Sequence, residues 1–433
     1  MLLIIYSHSI TPRLQYVIDF ISAYYNHAFI LTVNREKYLA SESTKINYSH
    51  ESLSEGEIYI HPHSLLFETS IRPIQSECSV HNNIVFFKTE GSLGFDLFAA
   101  IFFLLSRYEE YLPNEKDMYG RYDYKNSLAY KGGFLHQPLI NIWLEDFRNV
   151  LKQKKASFPT HQSSFTCIPT YDIDIAWSYL NKGKKRTIGG FFRDALKGQW
   201  WYVKKRWQVL RKKEQDPFDT YEWLNELHKE KGLRPVYFFP LADKVAKYDK
   251  NTAPQNKNYQ NLIRQHAAKY KIGLHPSWQS GDKPDLLRKE LNAINNITQQ
   301  TITLSRQHFI RFTLPGTYRR LIDLGIKEEY SMGYGSSNGF RASIASPFYW
   351  YDLEREEKTS LLIHPFCYMD ANAFFEQKLS PQAALEEAMH YYNVVKKVNG
   401  QLIIISHTPF LGTDKLFAGW KEVYEQLIGT ITA

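Results

Sequence analysis

The sequence predicts an α/β protein, with a smaller α/β domain over residues 1–158 and a parallel α/β barrel or doubly wound sheet over 159–433. Three observations predict it. From about Thr160, short apolar runs alternate with amphipathic stretches over about 270 residues, the pattern of parallel strands joined by helices. Two carboxylates, Asp172 and Asp174, stand two residues apart at the end of one such run. Polar residues then recur at later run ends, namely His275, Arg306, His308, Arg341, His364 and His407, where folds of this class place function.

In the N-terminal part, LLIIYS, AFILTV, EIYIH and NIVFFK read as strands. The stretch FDLFAAIFFLLSRYEEY over 95–111 reads as a buried helix, apolar around most of its circumference. The charged run Lys152 to Lys155 and the polar HQSS after it read as a linker. Beyond it, FTCIPTYDID, PVYFFPL, KIGLHPS, FIRFTL, EYSMGY, SLLIHPF and QLIIIS are the candidate strands.

With 433 residues, the chain is long enough for two or three domains with sizeable cores. Hydrophobic content of 43% against 23% charged residues excludes a disordered chain and fits a globular one. Three cysteines (Cys78, Cys167, Cys367) lie far apart with no CxxC spacing. They argue against a disulfide framework or a thiolate zinc site and fit a reducing cytoplasm. The opening MLLIIYSHSITPR has no basic segment and too short an apolar run for a signal or a membrane span, so it reads as a first strand.

The chemistry concentrates on the motif Thr170-Tyr171-Asp172-Ile173-Asp174. Side chains two apart at a strand end project to one side, and carboxylates that close both ionise only beside a cation or strong donors. A metal site that pairs a ligand carboxylate with a carboxylate base meets that demand. A solvated turn or helix cap is the structural alternative. His407 ends the very apolar strand LIIIS, where packing gives no reason for an imidazole, so a catalytic role is favoured. His275 ends KIGL and reads equally as a turn histidine. Arg306 can orient a carboxylate or form a plain ion pair.

In order and type these motifs resemble the polysaccharide deacetylases of carbohydrate esterase family 4, which carry the nodulation-factor deacetylase homology domain. Thr170-Tyr171-Asp172-Ile173-Asp174 looks like the family's first motif, His275 like the start of its H-x-x-x-H motif, Arg306 like its arginine motif and Leu402 to His407 like its last. The segments FDLFAAIFFLLSRYEEYL and YGRYDYKNSLAYKGGFL also resemble the leading domain of a poorly characterised bacterial branch. The resemblance implies an irregular (β/α) barrel and a hydrolase of N-acetylated sugars or surface-polysaccharide precursors. It implies a divalent metal, zinc by expectation, held by Asp174, His275 and the residue at position 279. Asp172 would be the general base, His407 the general acid and Arg306 a further catalytic residue. Trp278, His308, Arg341 and His364 are candidates for substrate contact or support. Position 279 holds glutamine where the family has histidine, and an amide is a poorer ligand for a late transition metal. Three outcomes stay open: weak metal binding, substitution by a residue such as His308, or a degenerate site that binds glycan or a partner without turnover.

The net charge of +8 is not evenly spread. Residues 181–213 hold twelve Lys/Arg against Asp194 alone, or +11, which leaves −3 for the rest. Phe192, Leu196, Trp200, Val203, Trp207 and Leu210 fall on one side of a helix over 189–213, edged by Arg193, Lys197, Lys204 and Arg211. A basic amphipathic helix with interfacial tryptophan suits an anionic membrane surface, and a helix packed on the barrel suits it equally. The insertion, about 181–214, is thus expected to dock a cytoplasmic protein on the inner membrane face. Nucleic acid is not expected as a partner.

Overall fold

Runs of β-branched and leucine residues build two parallel sheets. The structure, a computed structural model, describes residues 3–74, 78–80, 84–154, 158 and 164–433. In the N-terminal part Leu3–Tyr6 (β1), Phe29–Thr32 (β2), Thr44–Asn47 (β3) and Ile58–Tyr59 (β4) form a parallel sheet in the order β2-β1-β3-β4. Strand β3, TKIN, escaped the sequence reading because only its last two residues are buried. A small antiparallel ribbon pairs Ser79–Val80 (β5) with Ile84–Val85 (β6).

Two helices fix this part. Pro12–Tyr25 starts where the Thr11 side chain accepts the Leu14 N–H, and stops at Asn26 in the left-handed conformation, φ 48°. Leu97–Leu105 is buried at every position and is capped by Asp96, which accepts from Ala99 N. The expected helix over 95–111 is therefore too long. Arg107 adopts φ 55°, the chain continues as a 3-10 turn over Tyr108–Tyr111, and the buried guanidinium takes Glu109 and Glu110 as partners. Lys155 and residues 161–163 of the expected linker lie outside the described residues.

The second sheet holds Thr166–Asp172 (β7), Val236–Pro240 (β8), Lys271–His275 (β9), Leu304–Ser305 (β10), Glu328–Glu329 (β11), Phe348–Asp352 (β12), Glu357–Ile363 (β13), Tyr368–Met369 (β14) and Gln401–His407 (β15). Its order is β12-β13-β11-β10-β9-β8-β7-β15-β14, parallel except for the β12–β13 pair. The expected barrel is corrected on this point: the sheet is open, with β12 and β14 as edges and no pairing between them among the described residues. The edge is closed off by other means. Tyr16 of the first helix donates its hydroxyl to the Tyr349 carbonyl on β12, and the buried Arg13 pairs with Glu356. The run FIRFTL is likewise not a strand. The strand ends at Ser305, and the chain turns through His308–Ile310 with Phe309 at φ 60°.

One continuous apolar core joins the N-terminal part to the large sheet. Across the same junction the buried Glu110 accepts from Arg341 at 2.6 and 2.8 Å.

Residues 181–213 do not form the single helix expected over 189–213. They form two helices, Gly183–Leu196 and Trp200–Leu210, joined through Gly198 at φ 65°. Arg206 folds the second helix back on the first: it bonds Asp194 at 2.6 Å and packs where a Cβ on Gly190 would sit 2.6 Å from its guanidinium. Among the described residues no helix is long and apolar enough to cross a membrane.

Candidate active site

Parallel strands bring their C-terminal ends to one edge, and this sheet delivers its polar residues there. Asp172 ends β7 and Asp174 follows it; His275 ends β9; Arg306 and His308 follow β10; His407 ends β15 and pairs in register with Asp172. Asp172, Asp174, His275, His308 and His407 all line one cavity of about 860 Å³.

Each group is held from behind. Arg306, fully buried, donates to Asp172 Oδ1 at 2.9 Å and to Thr170 Oγ1 at 2.8 Å, and its guanidinium lies 4.4 Å from the Phe238 ring centre. His275 Nδ1 meets the Arg306 carbonyl at 2.5 Å. A carbonyl only accepts, so that nitrogen carries the proton and Nε2 keeps its lone pair. His308 Nδ1 faces Asp249 Oδ1 at 2.9 Å, and Asp249 is itself fixed by the Trp278 N–H.

Both Nε2 atoms then converge on one carboxylate. His275 Nε2 is 3.1 Å from Asp174 Oδ1, and His308 Nε2 is 3.4 Å from Oδ2. Asp174 Oδ1 is buried without a hydrogen-bond donor. Acceptor facing acceptor repels, and only a proton or a cation between them relieves it. Without a cation the proton goes to His308. Burial opposes its charge, but Asp174 and Asp249 outweigh burial and raise its pKa to about 10. Burial also opposes the Asp174 charge, and the His308 imidazolium is the largest effect against it, holding the carboxyl well below the usual range. The three ligand atoms lie within 4.8 Å of one another. A carboxylate and two neutral imidazoles, each with its far nitrogen anchored by a carbonyl or carboxylate, fit a divalent ion of the zinc type.

On the other side stands His407. Its Nδ1 lies 2.6 Å from Asp370 Oδ1, its backbone N–H donates to Asp370 Oδ2 at 2.7 Å, and its Nε2 is 3.7 Å from Asp174 Oδ2. Burial lowers its proton affinity, yet Asp370 overrides burial and raises the pKa to about 9.

The other predicted residues are elsewhere. Gln279, expected as a ligand, points its amide nitrogen at Asp249 Oδ2 from 3.5 Å, while His308 joins Asp174 and His275 in a group of side chains able to hold a metal. Trp278 supports Asp249 through its backbone while its ring stacks on Arg311. Arg341 is committed to Glu110, and His364 pairs with Glu328 at 3.0 Å and stacks on Tyr330. None of these four lines the cavity. Sequence reasoning missed Asp370 and Asp249. Asp370 follows a two-residue strand with no periodic signal, although an acid after the apolar Cys367-Tyr368-Met369 was visible; Asp249 sits in a loop that gives none.

Residues 3–156 match a family model described as a family of unknown function, DUF7033. No curated protein matches the chain. Among solved structures, a Mycobacterium smegmatis protein provisionally assigned as a polysaccharide deacetylase aligns at TM-score 0.40 and 14% identity, over 64% of this chain and 87% of that one. A mutant of the CE4 family pseudoenzyme BA3943 with restored enzymatic activity aligns at 0.32 and 12%, over 62% and 65%. The Bacillus cereus polysaccharide deacetylase Bc1974 aligns at 0.30 and 13%, over 60% and 88%.

Proposed function

We propose that the protein is a metal-dependent hydrolase that removes acetyl groups from N-acetylated sugars, acting on surface-polysaccharide precursors. The observation that carries this reading is the convergence of two imidazole lone pairs on Asp174, with an arginine-held carboxylate on one side and an aspartate-held imidazole on the other. Asp174, His275 and His308 would hold the metal. Such an ion, zinc by the chemistry of the donors, supplies Lewis-acid polarisation of an acyl carbonyl and of water.

The chain's own residues divide the proton work. Asp172, held by Arg306, would take a proton from the attacking water. His407 enters with its proton held by the field of Asp370 and gives it to the leaving sugar nitrogen as the carbon–nitrogen bond breaks. Tyr119, Phe309, Phe375 and Phe410 line the cavity and would supply aromatic surface to a sugar ring. The alternative, a degenerate glycan binder, rested on Gln279; a third donor at His308 favours the metal-dependent reading over it. Three free cysteines favour a cytoplasmic setting.

The test is acetate release from N-acetylated oligosaccharides by zinc-loaded protein, beside Asp172→Asn. Release by the wild type that falls at least about 100-fold in the variant supports the reading. Equal release, or none from protein that holds zinc, defeats it.

A further inference from the structure

Exposed large apolar side chains gather on the helical hairpin 183–210. Sixteen are exposed in the described chain, and seven of them are Ile188, Phe192, Leu196, Trp200, Trp201, Trp207 and Leu210. Phe192 is 68% exposed, Leu196 87% and Trp200 67%, values that no packed helix face shows. Phe375 and Leu416, each 56% exposed, extend this apolar ground to the rim of the cavity, where Lys415 lies over the Trp201 ring.

Charge frames the crest. Lys184, Lys185, Lys197, Lys204, Lys212 and Lys213 are all exposed. The single acid between 181 and 213, Asp194, is buried and bonded to Arg193 and Arg206. Residues 181–213 thus present cations with no exposed carboxylate among them, on a chain whose remainder nets −3. The same two helices give Arg186, Gly190, Tyr202 and Arg206 to the cavity wall. The crest is therefore part of the element that shapes the cavity.

We propose that the hairpin docks on an anionic lipid bilayer, with Phe192, Leu196 and Trp200 seated among the headgroups and the flanking lysines on the phosphates, so that the cavity opens beside the membrane surface. Exposed apolar side chains, exposed tryptophans and exposed lysines on one hairpin are the complement of that interface. A two-fold contact with a second copy would set these lysines against one another. Nucleic acid would use the lysines and leave the apolar crest in water. The proposal is independent of the deacetylase reading, because lipid binding is measured without turnover.

The test is sedimentation of the full chain with phosphatidylglycerol–phosphatidylcholine vesicles, with phosphatidylcholine vesicles, and with the mixed vesicles at high salt. The variant is Phe192→Ser/Leu196→Ser/Trp200→Ser, whose exposed positions leave the core intact; an unchanged melting temperature confirms this. A second variant, Lys184→Glu/Lys185→Glu/Lys204→Glu, probes charge alone. Binding to the anionic vesicles that is lost in salt, and that weakens at least about tenfold in each variant, supports docking. Equal binding by wild type and serine variant, or no binding by the wild type, overturns it. So does concentration-dependent dimerisation without lipid that the serine variant abolishes, or duplex DNA binding in place of vesicle binding.

Discussion

Arg306 donates to Asp172 at 2.9 Å with its guanidinium wholly buried. A buried arginine that also meets Thr170 and the Tyr330 carbonyl fixes the position of that carboxylate. Removing one partner leaves the other charge buried and unpaired. Arg306→Met is expected to lower stability by about 3–5 kcal/mol, whereas Asp172→Asn keeps an acceptor for the guanidinium and costs less. Urea denaturation of the two variants checks this; equal losses would show the pair is not organised around the arginine.

Metal content separates His308 from Gln279. After dialysis against free zinc, His275→Ala, His308→Ala and Asp174→Ala are expected to retain little metal, and Gln279→Ala to retain the wild-type amount. Asp249→Asn, which loosens the far nitrogen of His308, is expected to weaken binding about 10–100-fold. Elemental analysis reads all five, and metal loss in Gln279→Ala alone would restore the sequence assignment.

His407 titrates under the control of Asp370. Its folded pKa is raised to about 9, so the imidazolium is present below that value and lost as pH rises through it. A rate that needs the imidazolium falls on the alkaline side. In Asp370→Asn the raising carboxylate is gone, and the alkaline limb of the kcat profile is expected to move to lower pH. An unmoved limb would mean another group donates the proton.

The junction pair Glu110–Arg341 predicts acid sensitivity. Burial alone would raise the Glu110 pKa, but Arg341 and Arg107 outweigh it and bring the value from 4.5 down to about 2. The stabilisation is complete above pH 4.5 and is lost as pH falls toward 2. Melting temperatures of wild type and Glu110→Gln are expected to differ at neutral pH and converge across that window.

Long apolar strands were legible in the sequence. QLIIIS, KIGLH and TCIPTYD announce themselves by composition, and their polar last residues mark the site. Two-residue strands such as β10, β11 and β14 carry no period, so the stretches that deliver Arg306, His308 and Asp370 were misplaced or missed. The hairpin was misread because helical spacing counts through Gly198 as though the helix continued. Open sheet and closed barrel share one alternation of strand and helix, and only edge pairing tells them apart.

Asp172 and His407 face each other across the β7–β15 ladder. Neighbouring strands keep a spacing of about 4.8 Å that backbone chemistry sets and no side chain can change. The two groups proposed to handle protons are thus fixed to the most conservative dimension of the molecule. What the cavity accepts is then set by the residues around that pair, among them Arg186, Gly190, Tyr202 and Arg206 of the hairpin.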